Sequence, residues 1–172
     1  MDANRLADWL TARGSVPMMW GDMLLNRTEG IPFPGVTEMT AAFARTHESA
    51  ARMRAGVPKN VIICDWRYEP KFEQRNGLAL FEQAGHSSVG SAWFQPVNIR
   101  GWAQQVEANH AFGTLQTTWA GYDINESILE TEFRQFSAYI LAAENAWTGG
   151  RSISNSQEDV QKLIDDIALE IP

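Results

Sequence analysis

The sequence of 172 residues predicts an α/β fold in which parallel strands alternate with helices. Two observations lead to this prediction. Four short runs of apolar or small residues end at or near a tryptophan, and a stretch with helical periodicity separates each run from the next. Strands that alternate with single helices form parallel sheets with crossover connections. The predicted strands are residues 16–20, 61–64, 88–93 and 114–119.

A first helix is predicted over residues 3–13, ahead of the first strand. Leu6, Trp9 and Leu10 recur at helical spacing and therefore share one face, as in an amphipathic helix. Asp2 is a suitable N-cap because its carboxylate can accept a hydrogen bond from the first turn.

A second helix is predicted over residues 37–55, after a loop that is rich in glycine and proline. Thr37 is its expected N-cap, and Gly56 is its expected end. Residues 61–64 are four consecutive apolar residues. This pattern is typical of a strand that is covered on both faces, as in a parallel sheet.

The remaining elements continue the alternation to the end of the chain. From Arg151 the sequence becomes polar before a last helix, so we divide the chain into a half-barrel, residues 1–150, and a C-terminal loop and helix, residues 151–172. The further helices are predicted over residues 77–84, 96–111, 128–147 and 157–169.

Two parallel architectures fit this alternation, an open doubly wound sheet and part of a (β/α)8 barrel. The sequence has no glycine-rich phosphate loop, which disfavours the nucleotide-binding doubly wound folds. Four strand–helix units make half of a (β/α)8 TIM barrel, the architecture that we predict. In such barrels the chemistry lies where the strands end. The tryptophans at these ends are Trp20, Trp66, Trp93 and Trp119.

Composition excludes several classes of partner. The formal net charge of −7 argues against binding to nucleic acid or to an anionic membrane surface. The sequence has no apolar run long enough to span a bilayer and no apolar segment typical of a signal peptide, and it does not predict a compartment. Cys64 is the one cysteine, so we expect no internal disulfide.

The first strand is followed at once by a candidate binding motif. Trp20 could stack on the C–H face of a sugar ring, and Asp22 could accept hydrogen bonds from its hydroxyls. The alternative is structural, because Trp20 could close the core and Asp22 could cap the next loop.

The densest polar cluster follows the second strand. Asp65 and Glu69 could form a carboxylate pair for acid–base chemistry. They could equally form an ion pair with Arg67. Trp66 and Tyr68 are further candidates for sugar contact.

The third and fourth strand ends carry residue types that also suit sugar contact. Trp93 and Asn98 belong to the third, and Gln116, Trp119 and Tyr122 to the fourth. All of them are also ordinary loop residues. The three histidines lack metal-ligand spacing, so we expect neither a metal nor a cofactor.

Taken together, four sequence segments resemble the C-terminal half of the barrel of glycoside hydrolase family 20, the β-N-acetylhexosaminidases and their relatives. PMMWGDMLL is similar to that family's fifth strand, VIICDWRYE to the sixth, SAWFQ to the seventh and LQTTWAGY to the eighth. The resemblance spans roughly residues 2–147. It implies a pocket for an N-acetylated hexosamine, in which the acetamido group of the substrate itself attacks the anomeric carbon.

The same resemblance implies that this chain is inactive alone. The family's Asp-Glu pair lies on its fourth strand, and no segment of this sequence corresponds to that strand. The chain also has Trp93 and Phe94 where the family's seventh strand offers a tyrosine and an aspartate, and Trp119 is not followed by the usual Trp-x-Glu pattern. We therefore predict the sugar-binding half of a hexosaminidase-like hydrolase that pairs with an N-terminal half or forms a homodimer. The alternative is a non-catalytic carbohydrate-binding or structural half-barrel that closes by dimerisation.

Overall fold

The computed structural model describes residues 2–26, 29, 44–68, 77–119, 133–151, 156, 158–162 and 165. Within them, four strands form one parallel sheet in the order β1-β2-β3-β4, which confirms the predicted α/β fold. The order is strictly sequential, as in half of a (β/α)8 barrel, whereas a doubly wound sheet reverses its order at a switch point. The strands are β1 (Met18–Trp20), β2 (Ile62–Trp66), β3 (Ser88–Ala92) and β4 (Gly113–Gln116).

Helices precede the first strand and follow each of the four. A 3-10 turn at Asp22–Leu24 comes directly after β1, and residues 158–162 form a last helical segment. None of the helices in the described ranges is long and apolar enough to cross a membrane. The helices are α1 (Asp2–Thr11), α2 (His47–Gly56), α3 (Gly77–Gln83), α4 (Pro96–Asn109) and α5 (Phe133–Thr148).

The start of α2 differs from the sequence prediction. The helix begins at His47, and Thr46 forms a capping box with Ser49 in which each side chain accepts the other residue's backbone N–H at 3.0 Å. Just before it, Ala44 pairs with Asn26 in an isolated parallel bridge. A single helix from residue 37 is therefore wrong over residues 44–46, because the bridge holds this part of the chain extended. The predicted cap at position 37 lies outside the described residues.

The apolar face of α1 is exposed rather than packed. Ala7 is the one buried residue among residues 3–11, whereas Leu6 and Trp9 are more than half exposed. The guanidinium of Arg13 lies 3.8 Å from the centre of the Trp9 ring and partly covers it. Asp2, the expected cap, is the first residue of the helix.

The two faces of the sheet have different partners. On one face, which we call the inner face, Ile62, Cys64 and Val89 form a buried cluster. On the other, helix-facing side, Ile63 packs with Phe81 of α3. A larger cluster beneath α4 and α5 completes the helix-facing core, and it includes Val160 of the last helical segment. Its buried members are Leu78, Ala92, Ile99, Trp102, Ala138, Leu141 and Val160.

The strands end close to the tryptophans, although three ends differ from the prediction: β2 runs two residues further, and β3 and β4 stop one and three residues earlier. β1 and β2 finish on Trp20 and Trp66, and Trp93 follows β3 directly. β4 ends at Gln116, so Trp119 belongs to the loop after the strand. All four tryptophans therefore lie at the carboxyl edge of one parallel sheet.

Candidate functional site

A cleft of about 280 Å³ lies at the carboxyl ends of the strands. Its lining combines residues from the ends of β1, β2 and β4, each of which was a candidate from the sequence. Parallel strands deliver their ends to the same edge, which is why residues so distant in sequence meet there. The lining residues are Trp20, Asp22, Trp66, Tyr68 and Trp119.

The turn after β1 places Asp22 at the cleft, and Gly21 permits that turn. A Cβ on Gly21 would lie 2.7 Å from the Phe81 ring and 2.8 Å from Cγ2 of Ile63. Any side chain there would therefore displace the core, so glycine is needed between the tryptophan and the acid. Asp22 opens the 3-10 turn and is half-buried.

Tyr68 is the centre of the aromatic cluster, which we define as Trp66, Tyr68, Trp93 and Trp119. Its ring centroid lies 5.1 Å from that of Trp66, 5.6 Å from that of Trp93 and 6.4 Å from that of Trp119. The rings meet in tilted or edge-on arrangements, the geometry that aromatic quadrupoles favour, and each such pair contributes about 0.5–1.5 kcal/mol. Three strand ends are thus joined through one phenol ring.

Two of the tryptophans at this edge are exposed, and two are half-buried. Trp20 is 43% and Trp119 62% exposed, whereas Trp66 and Trp93 are half-buried. The exposed indoles of Trp20 and Trp119 are therefore available to a ligand, and Tyr68 joins the Trp119 ring to the more buried rings of Trp66 and Trp93.

Asn98 lies beneath the cleft and ties two strand ends together. Its Nδ2 donates to the carbonyl oxygen of Arg67 at 2.7 Å, and its Oδ1 accepts the backbone N–H of Trp93 at 3.2 Å. Trp102 Nε1 donates to the same Arg67 carbonyl at 3.1 Å. Asn98 is fully buried, so it supports the site from α4 and does not reach the cleft surface.

Gln135 of α5 connects the segments that follow β3 and β4 through hydrogen bonds. Its Oε1 accepts hydrogen bonds from Trp93 Nε1 at 3.0 Å, Thr118 Oγ1 at 3.1 Å and the backbone N–H of Trp119 at 2.8 Å. Gln135 was not among the site residues predicted from the sequence. The sequence offers only two polar residues, Arg134 and Gln135, between Phe133 and Phe136, and this pattern does not show where the Gln135 amide points.

Asp65 and Gln116 are candidates that the structure does not bring to the cleft. Asp65 pairs in register with Gly90, and Gln116 with Ala92, so both belong to the helix-facing side. The Asp65 carboxylate is buried, with Oδ1 3.8 Å from Nη1 of Arg67. This geometry favours the ion-pair interpretation of Asp65 over acid–base chemistry in the cleft.

The other candidates lie outside the described residues or away from the cleft. Glu69 and Tyr122 belong to the first group. Trp93 does not line the cleft, and its ring meets that of Phe94 edge to face, with 4.4 Å between the ring centroids. Among the described residues, no group of three or more His, Cys, Asp or Glu side chains could hold a metal ion.

The described lining of the cleft is aromatic apart from one carboxylate. Asp22 is the one carboxylate among the residues that line it in the described ranges, and glycoside hydrolysis by acid and base uses two. On the inner face of β2, burial raises the pKa of the Cys64 thiol, which keeps it protonated and unreactive at neutral pH. The cleft thus offers aromatic faces and one strong hydrogen-bond acceptor.

No family model matches the chain, and no curated protein is significantly similar to it.

Proposed function

We propose that this chain is the sugar-binding C-terminal half of a hexosaminidase-like glycoside hydrolase barrel. The observation that carries the proposal is the convergence of three tryptophans, a tyrosine and Asp22 in one cleft at the carboxyl edge of the sheet. Indole faces bind the C–H face of a pyranose, and a carboxylate accepts hydrogen bonds from its hydroxyls. The substrate class that follows is an N-acetylated hexosamine, from the resemblance of the strand ends to that family.

Alone, the chain is expected to bind sugar without cleaving it. The acid–base residues of such an enzyme would come from the N-terminal half of the barrel. The single carboxylate in the described cleft also favours a second candidate, a carbohydrate-binding half-barrel without catalysis. Both candidates share the same site, and they differ in whether a complementary half restores hydrolysis.

Calorimetric titration of the chain with N-acetylglucosamine and with its β-1,4-linked disaccharide tests the binding site. Trp119→Ala removes an exposed ring from the cleft and should weaken binding by about threefold to tenfold, the worth of one aromatic contact. Trp147→Ala is the matched control, because Trp147 is 91% exposed at the other end of α5. The Trp147→Ala variant should bind the sugar with the affinity of the wild type.

Two results would overturn the proposal. One is the absence of both heat and tryptophan fluorescence change when the wild-type chain is titrated. The other is an equal loss of affinity in the two variants. Release of the aryl group from an aryl N-acetylglucosaminide by the chain alone would contradict the expected inactivity.

A further inference from the structure

We infer that Gln135 is a positioning residue of the cleft, which sets the placement of Trp93 and Trp119 from the helix layer. This inference rests on the proposed function for its ligand, but its geometry stands independently. The amide oxygen accepts hydrogen bonds from an indole N–H, a hydroxyl and a backbone N–H. The three donors belong to the segments after β3 and β4.

Gln135 accepts hydrogen bonds from the residues that follow the last β3–β4 backbone hydrogen bond. Thr117 is still held by β3, because its N–H and its hydroxyl both donate to the Ala92 carbonyl, at 3.0 and 2.8 Å. The next two residues, Thr118 and Trp119, have left the ladder and donate to Gln135 instead. The direction in which Trp119 leaves the sheet is therefore set by a side chain of α5.

Gln135 also acts on the ring at the centre of the cluster. It accepts a hydrogen bond from the ring N–H of Trp93 and from the backbone N–H of Trp119, and the rings of both residues contact Tyr68. A displacement of the Gln135 oxygen would therefore shift Trp93 and Trp119 and change the space around the Tyr68 ring. The amide is buried, so water does not readily replace it as an acceptor.

The helix that carries Gln135 is itself firmly placed. Ala138 and Leu141 of α5 are fully buried in the cluster that contains Trp102. Trp102 in turn donates to the Arg67 carbonyl at the end of β2. Packing of α5 against this cluster thus places the amide relative to the cleft.

The variants that test this inference separate positioning from general stability. Gln135→Leu removes the acceptor at similar volume, and Gln135→Glu keeps an oxygen that can accept the same hydrogen bonds. Asn145→Leu is the control. Asn145 is also a buried amide of α5, but its Nδ2 donates to the Leu141 carbonyl within the helix at 2.8 Å.

The first measurement needs no sugar. The Trp93 indole N–H, assigned by its loss in Trp93→Phe, is followed by ¹H–¹⁵N NMR hydrogen exchange in the whole chain. We expect Gln135→Leu to accelerate its exchange at least tenfold, with the wild-type rate retained in Gln135→Glu and in Asn145→Leu. Equal exchange in wild type and Gln135→Leu, or equal acceleration in Gln135→Leu and Asn145→Leu, would overturn the inference.

The second measurement repeats the N-acetylglucosamine titration. Gln135→Leu should weaken binding about as much as Trp119→Ala does, whereas Gln135→Glu and Asn145→Leu should bind as the wild type does. An affinity loss in Asn145→Leu as large as that in Gln135→Leu would overturn the positioning role. If the wild-type chain binds no sugar while the indole exchange behaves as expected, the proposed function fails and the placement of the rings by Gln135 stands.

Discussion

The carboxylate of Glu29 links the turn after β1 to helix α2. Arg54 donates to both of its oxygens, at 3.0 and 3.1 Å, and both side chains are 7% exposed. Arg54 Nη1 also donates to the Leu24 carbonyl at 2.8 Å, in the 3-10 turn that begins with Asp22. This ion pair therefore supports the backbone that carries the acidic residue of the cleft.

The ionisation of Glu29 should make stability depend on pH. Burial acts to raise the pKa of this carboxyl, but hydrogen bonds from Arg54, Asn26 and His47 outweigh it and hold the pKa below the ordinary value of 4.5. A lowered pKa means that the folded state binds the proton more weakly than the unfolded state does. The stabilisation is therefore present above about pH 4.5 and is lost as the pH falls through the lower, folded value.

We expect Glu29→Gln to lower the free energy of unfolding by about 3 kcal/mol at pH 7, because it leaves the buried guanidinium without its counter-charge. The difference from wild type should shrink as the pH falls below 4.5. Urea unfolding over a pH series measures it. His47→Gln is the control, since His47 is 69% exposed and its contact should contribute less than about 1 kcal/mol. A difference that stays constant down to pH 3 would contradict the assignment.

Some residues of the cleft could be predicted from the sequence, and others could not. Trp66 and Tyr68 were identified as cleft candidates from their position after a buried strand, and both line the cleft. Asp65 was a candidate on the same grounds but lies on the helix-facing side, because successive strand residues point to opposite faces. In a strand buried on both faces, apolar residues do not alternate with polar ones, so the sequence does not reveal which face a residue occupies.

Among the elements, the β3–α4 contact depends on the absence of a side chain. β3 is buried throughout and is rich in small residues, and a Cβ on Gly90 would collide with the Trp102 ring. The small residues of this strand could be recognised in the sequence, but the sequence did not show that the Trp102 ring packs against Gly90. Trp102 also bonds to the Arg67 carbonyl, so this packing reaches the cleft.

Gly90→Ala should therefore destabilise the chain by about 1–3 kcal/mol, the usual cost of overpacking a core. Gly56→Ala is the matched control, because a Cβ on Gly56, at the end of α2, meets open space. That variant should be as stable as the wild type or up to about 1 kcal/mol more stable, since alanine loses less backbone entropy on folding. Urea unfolding of both variants decides the point, and equal stability of Gly90→Ala and wild type would contradict the contact.

At the scale of the whole molecule, the sheet has two outer strands, β1 and β4. Alternation alone fits both a sequential and a doubly wound order, whereas the predicted half-barrel implies the sequential order that is observed. Apolar side chains are exposed at both margins of the sheet: Met18 of β1 is 49% exposed, and Phe112, just before β4, is 69% exposed. The sequence could not show this exposure, because the apolar residues of an outer strand resemble those of a central one.

These margins predict that the chain associates with itself when no other half is present. A two-fold axis along the barrel would place β4 of one copy beside β1 of the other at both junctions, which closes eight parallel strands. Light scattering should then give twice the chain mass of 19.3 kDa. Met18→Lys introduces a charge at the β1 edge and should shift the mass towards one chain. Met53→Lys, at a 40% exposed site on α2, should not. A stable wild-type monomer at tens of micromolar would contradict closure by self-association.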